Sequence, residues 1–137
     1  MSIEELRTQF VVEGDVLKMR LEPIVTKAMQ HCKIDRNGQV MISNANLSSK
    51  QQVILILVAR AIASQLDTAI SAEVTVSEIH KYTGLPENQV RARGNEALKE
   101  KLAESPKPGS YKAIAYKVEA FIDNLPAPAD KKKAVQA

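Results

Sequence analysis

The chain has 137 residues, 45% of them hydrophobic but only 4% aromatic, with no Trp and a formal net charge of +3. That length suits one compact domain or a small core with an arm, and a core that must be built from aliphatic side chains favours helices packed on helices over a sandwich or barrel. A single cysteine, Cys32, excludes an intrachain disulfide and a cysteine-based metal site, and it points to a reducing, cytoplasmic compartment.

The N-terminal MSIEELRTQF is charged and lacks the apolar run of a signal peptide. Residues 2–13 form a short helix on this pattern, through Ile3, Leu6 and Phe10, ending before Gly14 with Asp15 as the next N-cap. From Leu17 the apolar positions 17, 21, 24, 25, 28, 29 and 32 predict an amphipathic helix over 15–32, kinked or restarted at Pro23. A competing reading makes QFVVEGDVLKMRL (residues 9–21) a β-hairpin about Gly14. His31 and Cys32 stand side by side, but Cys32 falls on the core stripe of the expected helix, which argues for packing over nucleophile or metal chemistry.

A hairpin is expected over 33–43, with turn chemistry from Asp35-Arg36-Asn37-Gly38 and alternation at Val40 and Ile42. Asp35 and Asn37 echo the start of a calcium loop, yet the later ligands are missing, so a turn is favoured. Ser48 or Ser49 caps the next helix, Lys50 to Leu66, whose run VILILVARAIA places it at the centre of the core. Only Lys50, Gln51, Gln52, Arg60, Ser64 and Gln65 are expected to reach water. Its longest apolar stretch, Val53 to Ala63, is too short to span a bilayer, and no membrane segment is expected.

After a connector at 67–72, Val74 and Val76 make a short strand or a lead-in to a helix over Ser77–Tyr82, with His80 exposed beside Lys81. Thr83-Gly84-Leu85-Pro86 is a turn. Gly84 suits the left-handed conformation that ends a helix, and Pro86 suits the first turn of the helix expected over 87–102. Ser105–Ser110 is a Pro- and Gly-rich loop. Ile114, Val118, Phe121, Ile122 and Leu125 predict a terminal helix over Tyr111–Asn124, and 126–137 reads as a disordered basic tail.

The order of these elements over 48–125 resembles a winged helix-turn-helix domain, a fold of bacterial and archaeal transcriptional regulators. Val76-Ser-Glu-Ile-His80, Thr83-Gly-Leu-Pro86, Val90-Arg-Ala-Arg93 and Leu98 carry the resemblance. It implies a mainly α fold, with the 33–43 hairpin and an N-terminal helical extension (residues 1–47) outside it. It also implies that helix 87–102 enters the major groove of DNA. Gly94, on the packing face of that helix, either admits close approach of helix 50–66 or marks a bend.

On a helical wheel Val90, Gly94, Ala97 and Leu98 face the core, leaving Asn88, Gln89, Asn95 and Lys99 outward with Arg91 and Arg93 at the flanks. Asn and Gln pair with adenine edges and Arg with guanine or phosphate. Lys107, Lys112 and Lys117 add phosphate contacts. Residues 1–47 and 48–104 are each charge-balanced, so the positive excess lies beyond residue 104. The expected function is therefore a DNA-binding transcriptional regulator, with a protein-interaction module as the alternative and a homodimer through the N-terminal region as a further expectation. No phosphate loop, paired-cysteine motif or nucleophile elbow is found, and neither enzyme activity nor a cofactor is expected.

Overall fold

The computed structural model describes residues 2–3 and 16–128. In chain order, short helices α1 (Val16–Met19) and α2 (Leu21–Ala28) lead into strands β1 (Cys32–Ile34) and β2 (Val40–Ile42). Helix α3 (Ser49–Leu66) follows, then β3 (Val74–Thr75), α4 (Val76–Thr83), α5 (Glu87–Lys99), β4 (Ala103–Glu104) and β5 (Ser110–Ala113). A 3-10 turn (Ala115–Lys117) and α6 (Val118–Asp123) complete it. Helices dominate, and the strands form two small antiparallel sheets: β1–β2, and β3–β5–β4 with β5 in the middle.

Helix α3 carries the core. It starts where a capping box fixes it: Gln51 N donates to Ser48 Oγ at 3.2 Å, and Ser48 N donates to Gln51 Oε1 at 2.9 Å. Every residue from Val53 to Ala63 is buried. That includes Arg60, which the sequence pattern assigns to water. Its guanidinium is enclosed because backbone carbonyls surround it. One core cluster runs from Leu17 through α3 to Ile122.

Three sequence expectations are corrected around this core. The helix expected to reach residue 32 stops at Ala28. Gln30 N and His31 N turn back to Lys27 O and Ala28 O, while Ser43 N and Asn44 N donate to His31 O. Sheet pairing then takes Cys32 into β1, opposite Ile42. Cys32 is buried, as its packing role requires, but in a strand. Pro23 lies in the first turn of α2, where its missing N–H costs nothing. Of the segment with two readings, 16–22 is described and has no strand; residues 4–15, with most of the expected first helix, lie outside the described residues.

The second correction concerns Tyr111–Ala113. These residues pair with β3 on one side and β4 on the other, and helix begins only at Val118. Third, the expected tail does not begin at 126. Asn44 Nδ2 donates to Pro126 O and Asn46 Nδ2 to Ala127 O, both at 2.8 Å; residues 129–137 lie outside the described residues. The β1–β2 turn is as expected. Asp35 Oδ1 accepts from Asn37 N and Gln39 N, and Gly38 takes φ +84°. Among the described residues no helix is long and apolar enough to cross a membrane.

Candidate nucleic-acid interface

Thr75, rather than Ser77, starts α4. Its Oγ1 accepts from Glu78 N, and Glu78 Oε1 accepts from Thr75 N, both at 3.1 Å, which brings the helix forward to Val76. Gly84 ends it with φ +77°, its N–H donating to His80 O. The turn is then locked by side chains. His80 Nδ1 donates to Leu85 O at 2.6 Å, and Thr83 Oγ1 donates to Ile79 O while accepting from Leu85 N. His80 is exposed, as expected, but it is engaged.

Helix α5 packs on α3 and α4 through Val90, Gly94 and Ala97, all buried. Gly94 has a reason the sequence did not disclose. A Cβ there would stand 2.7 to 3.0 Å from the ring of Tyr111, so the glycine seats an aromatic from β5 rather than admitting α3 or marking a bend. Helix α5 ends at Lys99, short of the expected 102, because Leu102 N turns back to Ala97 O and Lys101 adopts φ +60°. The residues freed from the helix lead into β4.

The outward side of α5 divides into free and engaged groups. Asn88, Arg91 and Lys99 are exposed and Gln89 is half-buried; among the described residues none of their side chains has a hydrogen bond or ion pair. Arg93 is half-buried, its Nη2 3.4 Å from Glu96 Oε2, and its Nε is enclosed without a partner. Asn95 is exposed, with Oδ1 3.5 Å from the Tyr111 hydroxyl.

The loop between β4 and β5 is shaped internally. Ser105 Oγ lies 2.9 Å from Lys107 O and 2.8 Å from Ser110 O, Gly109 takes φ +79°, and Val76 N donates to Gly109 O, tying the loop to the start of α4. Its lysines are less free than expected. Lys107 Nζ is 3.5 Å from Glu73, and Lys112 Nζ is 3.7 Å from Glu104. Lys117 lies beyond the sheet, with Nζ 5.7 Å from the centre of the Tyr116 ring.

Arg60 supports this surface from inside. Its Nε donates to Ser71 O at 2.7 Å; Nη1 donates to Gly38 O at 3.2 Å and to Glu78 Oε2 at 3.0 Å; Nη2 reaches Glu73 O at 3.5 Å. Burial pushes the Glu78 carboxyl up, but the Thr75 N–H and the Arg60 guanidinium outweigh it and hold the pKa below the usual value. The signal was present in the sequence: an arginine inside an otherwise apolar helix must find partners if it is buried. Among the described residues, no three or more His, Cys, Asp or Glu side chains gather where a metal ion could sit. No family model, curated protein or solved structure matches the chain.

Proposed function

We propose that the chain is a winged helix-turn-helix protein that binds duplex DNA through α5, with the β4–β5 hairpin as its wing, and serves in the cytoplasm as a transcriptional regulator without enzymatic activity. The observation that carries this reading is the split of α5. Its inner face is fixed by Val90, the Gly94–Tyr111 contact and Ala97, while Asn88, Arg91 and Lys99 project outward with no partner among the described residues. Long polar side chains on a helix braced from behind suit base edges and phosphates. The order β3–α4–turn–α5–β4–β5, with β3 paired to β5, supports the winged reading.

The division of labour follows from the pairing. Arg91 and Lys99 make the first phosphate contacts. Arg93, Lys107 and Lys112 join only by exchanging Glu96, Glu73 and Glu104 for phosphate, so they contribute less than their charge suggests. A salt-titrated binding assay on duplex DNA tests this. Affinity is expected to fall steeply with salt, and Arg91→Ala with Arg93→Ala to weaken binding at low salt. Unchanged affinity in that double variant removes α5 as the reading helix, and no binding at all ends the DNA reading.

A second reading, a protein-interaction module or a homodimer through the N-terminal region, is favoured by one observation. An apolar groove of about 310 Å³ lies between α2, β1 and α3, lined by Val25, Cys32, Ile34, Ile62 and Leu66 with Met29 at its edge. Met29 and Leu66 are 59% and 63% exposed. Sedimentation across a range of concentrations, with Leu66→Glu as the control, separates a self-associating chain from one that stays single.

A further inference from the structure

The segment after α6 is held by a cluster that the proposed DNA surface does not use. His31 sits between α2 and β1 and is 5% exposed. Asn44, 3% exposed, sits between β2 and α3. Asn44 Oδ1 accepts from Asn46 N at 2.9 Å, which fixes the orientation of its amide. Both hydrogens of Asn44 Nδ2 are then committed: one to Pro126 O at 2.8 Å, the other to His31 Nδ1 at 2.8 Å. Asn46 Nδ2 in turn donates to Ala127 O. An amide nitrogen only donates, so His31 Nδ1 must accept, and the ring must be neutral with its proton on Nε2.

We propose that His31, Asn44 and Asn46 form a proton-operated latch, closed on Pro126 and Ala127 when His31 is neutral and opened when its Nδ1 takes a proton. The protonated Nδ1–H would point at the Asn44 amino group, two donors face to face. Turning the Asn44 amide over would satisfy His31 and undo the rest: Oδ1 would then face Pro126 O, and the amino group would face Asn46 N–H. The protonated ring and the closed segment therefore exclude one another.

Among the described residues no charge competes with the bonding geometry. Burial of the His31 ring lowers its pKa. On α2, Lys27 is held by Glu119 and Asp123 of α6 at 2.8 and 2.9 Å. On β1, Lys33 is exposed, and burial lifts the Cys32 thiol to about 11, so it stays neutral. Lys50 of α3 is bonded to Glu100. Residues 43–46 and 124–127 carry no ionisable side chain. Because the closed state disfavours the proton, the latch is shut above the ordinary histidine value of about 6.5 and opens as pH falls below it. Within that window the ratio of open to closed rises about tenfold per pH unit. The chain beyond the latch carries Lys131, Lys132 and Lys133.

An NMR titration of the full chain from pH 8 to pH 4 tests the latch. It follows the His31 ring together with two reporters on the held segment, the backbone amide of Ala127 and the side-chain amide of Asn46. The expected result is one shared midpoint below 6.5, abolished at both reporters by His31→Gln, which keeps an acceptor without a titrating group. Reporters that stay still while His31 titrates, or that move unchanged in His31→Gln, overturn the proposal. Should His31→Gln fail to fold, Asn44→Ala decides. Its Ala127 and Asn46 signals are expected at the open-state positions at every pH, and a persisting pH transition in that variant overturns the latch.

Discussion

Arg60 and Glu119 each gather partners from distant parts of the chain, one inside the protein and the other at its surface. Arg60, with its side chain 7% exposed, spends its donors on the carbonyls of Gly38, Ser71 and Glu73 as well as on Glu78. Glu119 takes a two-pronged contact from Arg20 and a third bond from Lys27, joining α6 to α2 and the residue before it. Arg20 is 55% exposed, so water competes for that cluster throughout. The two look alike as contacts and differ in what their loss leaves behind. Removing Arg60 strands the buried Gly38 carbonyl and takes the donor from the part-buried carbonyls of Ser71 and Glu73, whereas removing Glu119 hands its partners back to solvent.

Three variants put that contrast under strain. Arg60→Ala is expected to lower the free energy of unfolding by about 3 kcal/mol or more, the range for breaking a buried, hydrogen-bonded charge. A loss below about 1 kcal/mol in denaturant titration would show that water already reaches those carbonyls. Gly94→Ala extends the test of burial to packing. Crowding the Tyr111 ring costs about 1–3 kcal/mol, and the gain in helix propensity returns about 1. A net loss of about 1 kcal/mol is expected, relieved by Tyr111→Leu in the same chain; a net gain would mean the ring moves aside freely.

The smallest effect belongs to the surface cluster. Glu119→Gln is expected to change stability at pH 7 by less than about 1 kcal/mol. Its pH signature is clearer. Hydrogen bonds from Arg20 and Lys27, more than charge alone, hold the Glu119 carboxyl down at about 2. The folded value lies below the unfolded value of about 4.3; undiminished, that gap would be worth about 3 kcal/mol. With Arg20 55% exposed, however, water screens the cluster to below about 1 kcal/mol. This contribution is present above about pH 4.3 and is lost as pH falls through the folded value. Melting temperatures of the native chain should drop over that window, and those of Glu119→Gln should drop less.

The legible parts of the sequence were those with long periods or strict turn chemistry. Helix α3 was readable from an eleven-residue apolar run with Ser48 before it, the β1–β2 turn from Asp35 and Gly38, and the end of α4 from Gly84, because each is decided within a few residues. Strands β3 and β4 have two residues each, too few to show alternation. The apolar series of α2 ran on by coincidence into Cys32, where pairing with β2 across the hairpin ended it, and the helix expected from Tyr111 gave way to pairing with β3, far back in the chain. The outward set on α5 was readable from the wheel, but the state of its cations was not. Whether Arg93, Lys107 or Lys112 meets a carboxylate depends on folded distances, and so does the neutral His31 beneath Asn44.

The reach of Arg60 bears on whether the α4–α5 unit could be transplanted. Its guanidinium grips the tip of the N-terminal hairpin at Gly38 and the first turn of α4 at Glu78 with the same nitrogen, Nη1. A fragment beginning at residue 48 would keep the arginine and discard one of its acceptors, along with the covering side chains of Leu17, Ile24 and Val40. Grafting residues 48–125 onto another scaffold should therefore yield an aggregating or partly melted piece, and a two-step unfolding curve is not expected of the intact chain. The outward face of α5 is inherited with the hairpin or not at all.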